Sequence, residues 1–224
     1  MSQASTPDVH ELMAEAAAWR LMGLLMERPR PGWNEELDTL AREVVDPSLR
    51  AAVEAARGVS EGTYLGLLGP GGFISPREVA HRPKEDPGKV LADLAGFYEA
   101  FAFAPQVEDP IDHIAVEAGF VAYLRMKEAY ALAGGDEEAS ETTAESIKHF
   151  LDAHLGTFVE PFAQGLEPSG VSYLIGAARA LLKRVKELLG GASGTSEPQG
   201  AAQALLRSLR AIKNLNSRGG HLAS

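Results

Sequence analysis

Asp109-Pro110-Ile111-Asp112-His113-Ile114-Ala115-Val116-Glu117-Ala118-Gly119-Phe120-Val121-Ala122-Tyr123-Leu124-Arg125-Met126 is the stretch on which the fold turns. Its apolar side chains do not keep to one stripe. Ile111, Ile114, Ala115, Ala118, Val121, Ala122 and Met126 cover most of the circumference of a helix. Such a helix is stable in water only when neighbours cover it on most sides. The stretch is therefore expected to be the central helix of a bundle, running from Pro110 to about Ala133, where Gly134-Gly135 stops it. Asp109 is expected to cap it, Pro110 to fill the first helical position with its fixed φ, and Asp112 to complete a capping box with Asp in place of Glu. Both acids also suit the positive end of the helix dipole.

The same device, a capping residue followed by proline, recurs at Thr6-Pro7, Asp46-Pro47 and Asp86-Pro87. The first predicts a helix to about Glu27, ended by Pro29 and Pro31, the second a helix over 47–57, and the third one over 87–103. Further helices are expected near 33–44, 142–154, 158–165 and 169–189, with a short one capped by Ser60 that carries Tyr64, Leu67 and Leu68. After it, Gly69-Pro70-Gly71-Gly72 opens a stretch to Asp86 that is expected to be non-helical, and long loops in compact domains are often functional. No strand-like alternation of useful length appears. The expected fold is all-α: a single-domain irregular bundle of about nine to ten helices. It is expected over 1–189, followed by a Gly- and Ser-rich flexible linker at 190–200 and a basic helix and tail at 201–224.

Composition narrows the partners. The 224 residues, 45% hydrophobic, can bury one full core. The lack of cysteine removes disulfides, thiolate metal sites and cysteine nucleophiles, and fits the cytoplasm. Met1 to Leu12 does not have the basic and then apolar pattern of an export signal, and no apolar run approaches the roughly 20 residues that span a bilayer. A formal charge of −10 argues against nucleic acid, whose phosphates are bound by clustered Lys and Arg. The last 24 residues invert that balance, with Arg207, Arg210, Lys213 and Arg218 and no acid.

Catalytic motifs are missing. Gly69-Pro70-Gly71-Gly72 does not continue into the Gly-Lys-Ser/Thr of a phosphate loop, and no Gly-x-Ser-x-Gly elbow occurs. Glu78-Val79-Ala80-His81 is the single Glu-x-x-His, in the loop rather than on a long helix, so no metal is expected there. His113 with Glu117 and Glu145 with His149 are each four apart, and together they define an alternative, a metal-binding helical bundle. His149 and His154 are five apart and are expected to be interfacial or partly exposed. Trp19, Trp33 and the run Phe97, Tyr98, Phe101, Phe103 are expected in the core. His113 and Glu117, at the mouth of an apolar helix, need partners if buried. A carboxylate beside an imidazole offers a peptide both an acceptor and a donor, which suits recognition without chemistry.

Asp109-Pro110-Ile111-Asp112-His113 resembles the Glu-Pro-x-Asp-His that opens the long central helix of the TorD-like family of redox-enzyme maturation chaperones, which includes the DmsD and NarJ types. Tyr64-Leu65-Gly66-Leu67-Leu68 is similar to that family's aromatic-x-x-Leu-Phe motif, with Leu in the last place. Ser75-Pro76-Arg77-Glu78-Val79 resembles its Ser-Pro segment, and His154-Leu155, Phe158 and Phe162 its closing helices. The resemblance runs in order from about Val9 to Leu189. It implies a cytoplasmic, non-catalytic chaperone, without a cofactor of its own, for the apo catalytic subunit of a molybdenum enzyme of the dimethyl-sulfoxide-reductase type. Such a chaperone holds its client until molybdopterin is inserted, often binds the client's N-terminal twin-arginine signal peptide, and works beside molybdenum-cofactor biosynthesis proteins. The implied binding residues are Tyr64, Leu67, Leu68, Ser75, Pro76, Asp109, Asp112, His113 and Glu117. The chain is expected to be a monomer or an element-swapped homodimer.

Overall fold

A computed structural model describes residues 8–105 and 109–190. Ten α-helices occur among them: α1 Val9–Leu25, α2 Trp33–Glu43, α3 Pro47–Ala56, α4 Glu61–Leu68, α5 Glu78–His81, α6 Pro87–Ala100, α7 Ile114–Ala133, α8 Glu137–Ala153, α9 Leu155–Leu166 and α10 Ser172–Gly190. The described residues contain no strand, so the fold is all-α. The expected linker and basic tail lie outside the described residues, as does Thr6-Pro7.

The central helix is α7. Twelve of its residues are buried, and it packs most extensively on α1, with α8 and α9 closing further sides. This is how a helix apolar nearly all round is accommodated. Gly23 of α1 lets the two backbones approach, since a Cβ there would stand 3.0 Å from the carbonyl oxygen of Ala115. Aromatic rings join α6, α7 and α8, with Phe120 4.8 Å from both Tyr98 and Phe150 in edge or tilted geometry. Trp33 is buried and donates to the Leu24 carbonyl at 2.9 Å, which fastens α2 to the end of α1. Trp19, Tyr98 and Phe101 are buried as expected, while Phe97 and Phe103 are partly buried against the same core.

Asp46-Pro47 and Asp86-Pro87 cap α3 and α6 as the sequence predicts, and Ser60 caps α4. Other boundaries differ. Asp8, not Thr6, caps α1, through a capping box with Glu11. The helix α6 stops at Ala100 because Ala102, at φ 54°, breaks the helical path. α8 begins five residues before Thr142, at Glu137, where the Asp136 carboxylate accepts from Ala139 N–H. α9 begins at Leu155 rather than Phe158, after a sharp turn at His154 (φ −129°, ψ −99°), and α10 begins at Ser172 rather than Ser169, because Ser169 ends a 3-10 turn, Glu167–Ser169, and Gly170 follows at φ 68°. The loop expected to be non-helical contains the single turn α5.

The α1–α7 crossing generates a stability prediction. Gly23→Leu should lower stability by about 1–3 kcal/mol, the usual cost of overpacking a core, and shift the urea midpoint accordingly. An unchanged midpoint would contradict the close approach described.

Candidate functional site

Two segments distant in sequence are sewn together at the start of α7. Ile114 N–H donates to the Pro76 carbonyl and Glu78 N–H to the Asp112 carbonyl, each at 2.9 Å, making a one-residue antiparallel bridge between Arg77 and His113. Arg77 Nε and Nη2 both reach Asp112 Oδ1 at 2.9 Å, and Val79 N–H approaches Oδ2 at 3.4 Å. Asp112 is fully buried, so its charge requires these donors.

This arrangement overrides the capping expected from sequence. Residues 110–113 form a turn, with His113 N–H donating to the Pro110 carbonyl at 2.9 Å, and α7 begins only at Ile114. The cap is His113, whose Nδ1 accepts from Ala115 N–H at 3.1 Å. Asp109 is neither the cap nor half of a capping box, because the Asp112 carboxylate is engaged by Arg77 instead.

An imidazole that accepts at Nδ1 carries its proton on Nε2 when neutral. That Nε2–H donates to the Tyr64 hydroxyl oxygen at 3.3 Å, linking α7 to α4. Burial pushes the His113 pKa down to about 4; Asp112 pulls it up and Arg77 opposes protonation. Burial chiefly, and then the charge of Asp109, raises the Tyr64 phenol. Both groups are neutral near pH 7.

Beneath the bridge lie two more buried acids. Glu78 pairs with Arg82 and sits 3.2 Å from His154 Nδ1, while Arg82 also holds Glu85 at 2.6 Å and donates to the Ala153 carbonyl at 2.8 Å. His154, expected to be interfacial or partly exposed, is interfacial and buried in this network, while His149 is half-buried on α8. Glu117 is fully buried and neither of its oxygens has a hydrogen-bond partner. Burial first, then the charges of Glu78 and Asp112, raise its pKa well above the ordinary carboxylate value, with Arg82 opposing.

Above the bridge opens a groove of about 520 Å³ between α4, the loop that follows it, and the turn before α7. Six of the residues singled out from sequence line it: Tyr64, Leu68, Ser75, Pro76, Asp109 and His113. Three do not. Leu67, packed against the core, and the wholly buried Asp112 and Glu117 are not among the residues that line the groove. Arg28, Leu65 and Arg77, which the sequence reading did not single out as binding residues, also line it, as do residues 69–72 of the loop it suspected of being functional. Gly69 and Gly72 let the loop fold back onto α4, since a Cβ at either would fall within 2.7 Å of a carbonyl oxygen of Leu65 or Leu67. Leu65 is 38% and the nearby Phe73 56% exposed, giving this face an apolar element with no cover among the described residues.

The alternative metal set does not assemble. His113 spends Nδ1 on its cap, Glu145 is exposed on α8, and no three His, Asp or Glu side chains converge on a metal position among the described residues.

The His113 shift makes a pH prediction with a definite sign. The folded-state pKa lies below the ordinary 6.5, so between about pH 6.5 and pH 4 the unfolded chain binds a proton that the folded chain refuses, and stability falls as pH falls. Over that window the wild type should lose about 3 kcal/mol more than His113→Gln, measured as the difference between their urea-denaturation curves at pH 7 and pH 4. Parallel losses in the two proteins would contradict the buried, neutral imidazole.

Comparison with known proteins bears on the same residues. A family model described as nitrate reductase delta subunit matches residues 28–164, a span that takes in α2 to α8 and nearly all of α9, including every wall of the groove. No curated protein and no solved structure matches the chain. The matched span is shorter at both ends than the resemblance read from sequence, leaving out α1 and α10. It nevertheless covers more than half of the 224 residues, and the chain belongs to the nitrate reductase delta subunit family, the NarJ/TorD-like chaperones of molybdoenzyme assembly.

Proposed function

We propose that this chain is a non-catalytic, cytoplasmic chaperone that binds the apo catalytic subunit of one molybdoenzyme by that subunit's N-terminal segment, before molybdopterin is inserted. The observation that carries the reading is the convergence of Tyr64, Leu68, Ser75, Pro76, Asp109 and His113 on one open groove. These residues come from three separate family-like motifs, and the bridge at Arg77 and His113 is what brings two of them side by side.

The groove suits a peptide with mixed chemistry. Leu65 and Leu68 offer apolar contact, as helix-in-groove recognition requires, and the exposed Phe73 follows in the same loop. Asp109 offers a carboxylate to a basic side chain, and the net charge of −10 draws a basic segment towards the protein. A twin-arginine signal peptide combines these two properties, and so does a non-exported basic and apolar N-terminus. No helix of the described residues is long and apolar enough to cross a membrane.

Asp112, Glu117 and Leu67 leave the contact list in this reading, and Asp112 becomes the residue that positions the wall through Arg77. The direct anchors are then Tyr64, Leu65, Leu68, Asp109 and the face of His113. A labelled peptide of the client subunit's N-terminal segment, titrated against wild type, Leu65→Asp and Asp109→Ala, tests this. Each variant should bind at least about tenfold more weakly, a loss on the order of 1.4 kcal/mol, with an unchanged melting temperature. Wild-type affinity in both variants would remove the groove from the account.

A further inference from the structure

A second concavity, of about 540 Å³, lies at the far end of α7, between its last turns, Phe101 and the first half of α8. Its lining is largely apolar, and two of its large side chains project into solvent, Met126 at 49% and Tyr130 at 84% exposure. An exposed apolar patch of this kind calls for a cover. Asp136 lines the concavity, and α8, which forms one wall, also exposes Glu137, Glu138, Glu141 and Glu145. Lys127 is the one cation lining the groove, and its amine is turned towards the Phe101 carbonyl and the Tyr123 ring.

The same chain carries the complement. Residues 201–214, which lie outside the described residues, place Leu205, Leu209 and Ile212 at i, i+4 and i+7, the spacing of a single helical face. Arg207, Arg210 and Lys213 flank that face, and no acid occurs after Glu197. Reach is sufficient. The end of α10 lies against the start of α9, where a Cβ on Gly156 would meet Leu189 at 3.1 Å, and α9 follows directly on α8. A segment leaving Gly190 must therefore travel about the length of α8, roughly 25 Å for its helical rise. The ten residues 191–200 span up to about 35 Å when extended.

We infer that residues 201–214 dock in cis, through Leu205, Leu209 and Ile212, in the groove formed by Phe101, Tyr123, Met126, Tyr130, Ala139 and Thr143, with Asp136 and the exposed acids of α8 attracting the Arg and Lys side chains of the segment. The docked segment covers the exposed apolar end of α7. This surface is separate from the groove beside Tyr64, and the inference does not depend on the client reading.

Because the protein has no cysteine, paired cysteines report the contact directly in the full-length chain. Met126→Cys or Tyr130→Cys is combined with Leu209→Cys, and disulfide formation is followed under mild oxidation on a non-reducing gel. The control pair is Val45→Cys with Leu209→Cys. Val45 is 81% exposed, and its neighbour Asp46 pairs with Arg184 near the end of α10, so an undirected tail meets it at least as often. Docking predicts an intramolecular bridge at Met126 or Tyr130 that forms at least about tenfold faster than at Val45, and that slows when Arg207, Arg210 and Lys213 are changed to Glu. Equal rates at the two sites, an exclusively intermolecular product, or indifference to charge reversal would each overturn the inference.

Discussion

The pairing of Arg77 with the buried carboxylate of Asp112 is the constraint on which the rest of the site depends. The fully buried Asp112 carboxylate needs hydrogen-bond donors, and these come from a segment 35 residues earlier in the chain. Once that segment is drawn in, Pro76 takes the first amide of α7, Asp112 gives its carbonyl to Glu78, and the helix start shifts from Pro110 to Ile114. The groove is the space left above the bridge. Its wall is fixed by backbone hydrogen bonds and a buried charge, and the exposed Leu65 lines it.

The titratable groups under the groove are arranged to stay quiet. His113 is neutral because it is buried and because its two nitrogens are committed to Ala115 and Tyr64. Glu117 is pushed towards its protonated form by burial and by Glu78 and Asp112. With Glu117 neutral, the carboxylates of Glu78 and Asp112 are balanced by Arg82 and Arg77. A protonated Glu117 carries a stability cost that grows as pH rises above the ordinary carboxylate range.

What could be read from the sequence was local. Asp46-Pro47 and Asp86-Pro87 cap the helices they precede because nothing distant competes for those aspartates strongly enough to displace the cap. Asp109-Pro110 has the same form and a different outcome, since Arg77, remote in sequence, decides where α7 starts. The all-round apolar pattern of α7 correctly placed it at the centre, but it could not say which side faces α8. The set His113, Glu117, Glu145 and His149 was therefore plausible by spacing and failed in space. On α4, motif similarity favoured Leu67, whereas Leu65 is the exposed leucine of the groove, a difference of helical rotation that a two-turn helix does not encode. Glycines at 69 and 72 announced a loop; that they fold it back against α4 depends on carbonyl contacts visible only in three dimensions.

The central claim is that the bridge between residues 75–78 and 112–114 builds the surface that receives the client. Hydrogen–deuterium exchange on the full-length chain, with and without the apo catalytic subunit, tests it most directly. The account predicts new protection concentrated in 61–77 and 109–116, the two sides of the groove. Protection confined to other surfaces, with these two segments unchanged on complex formation, would contradict it.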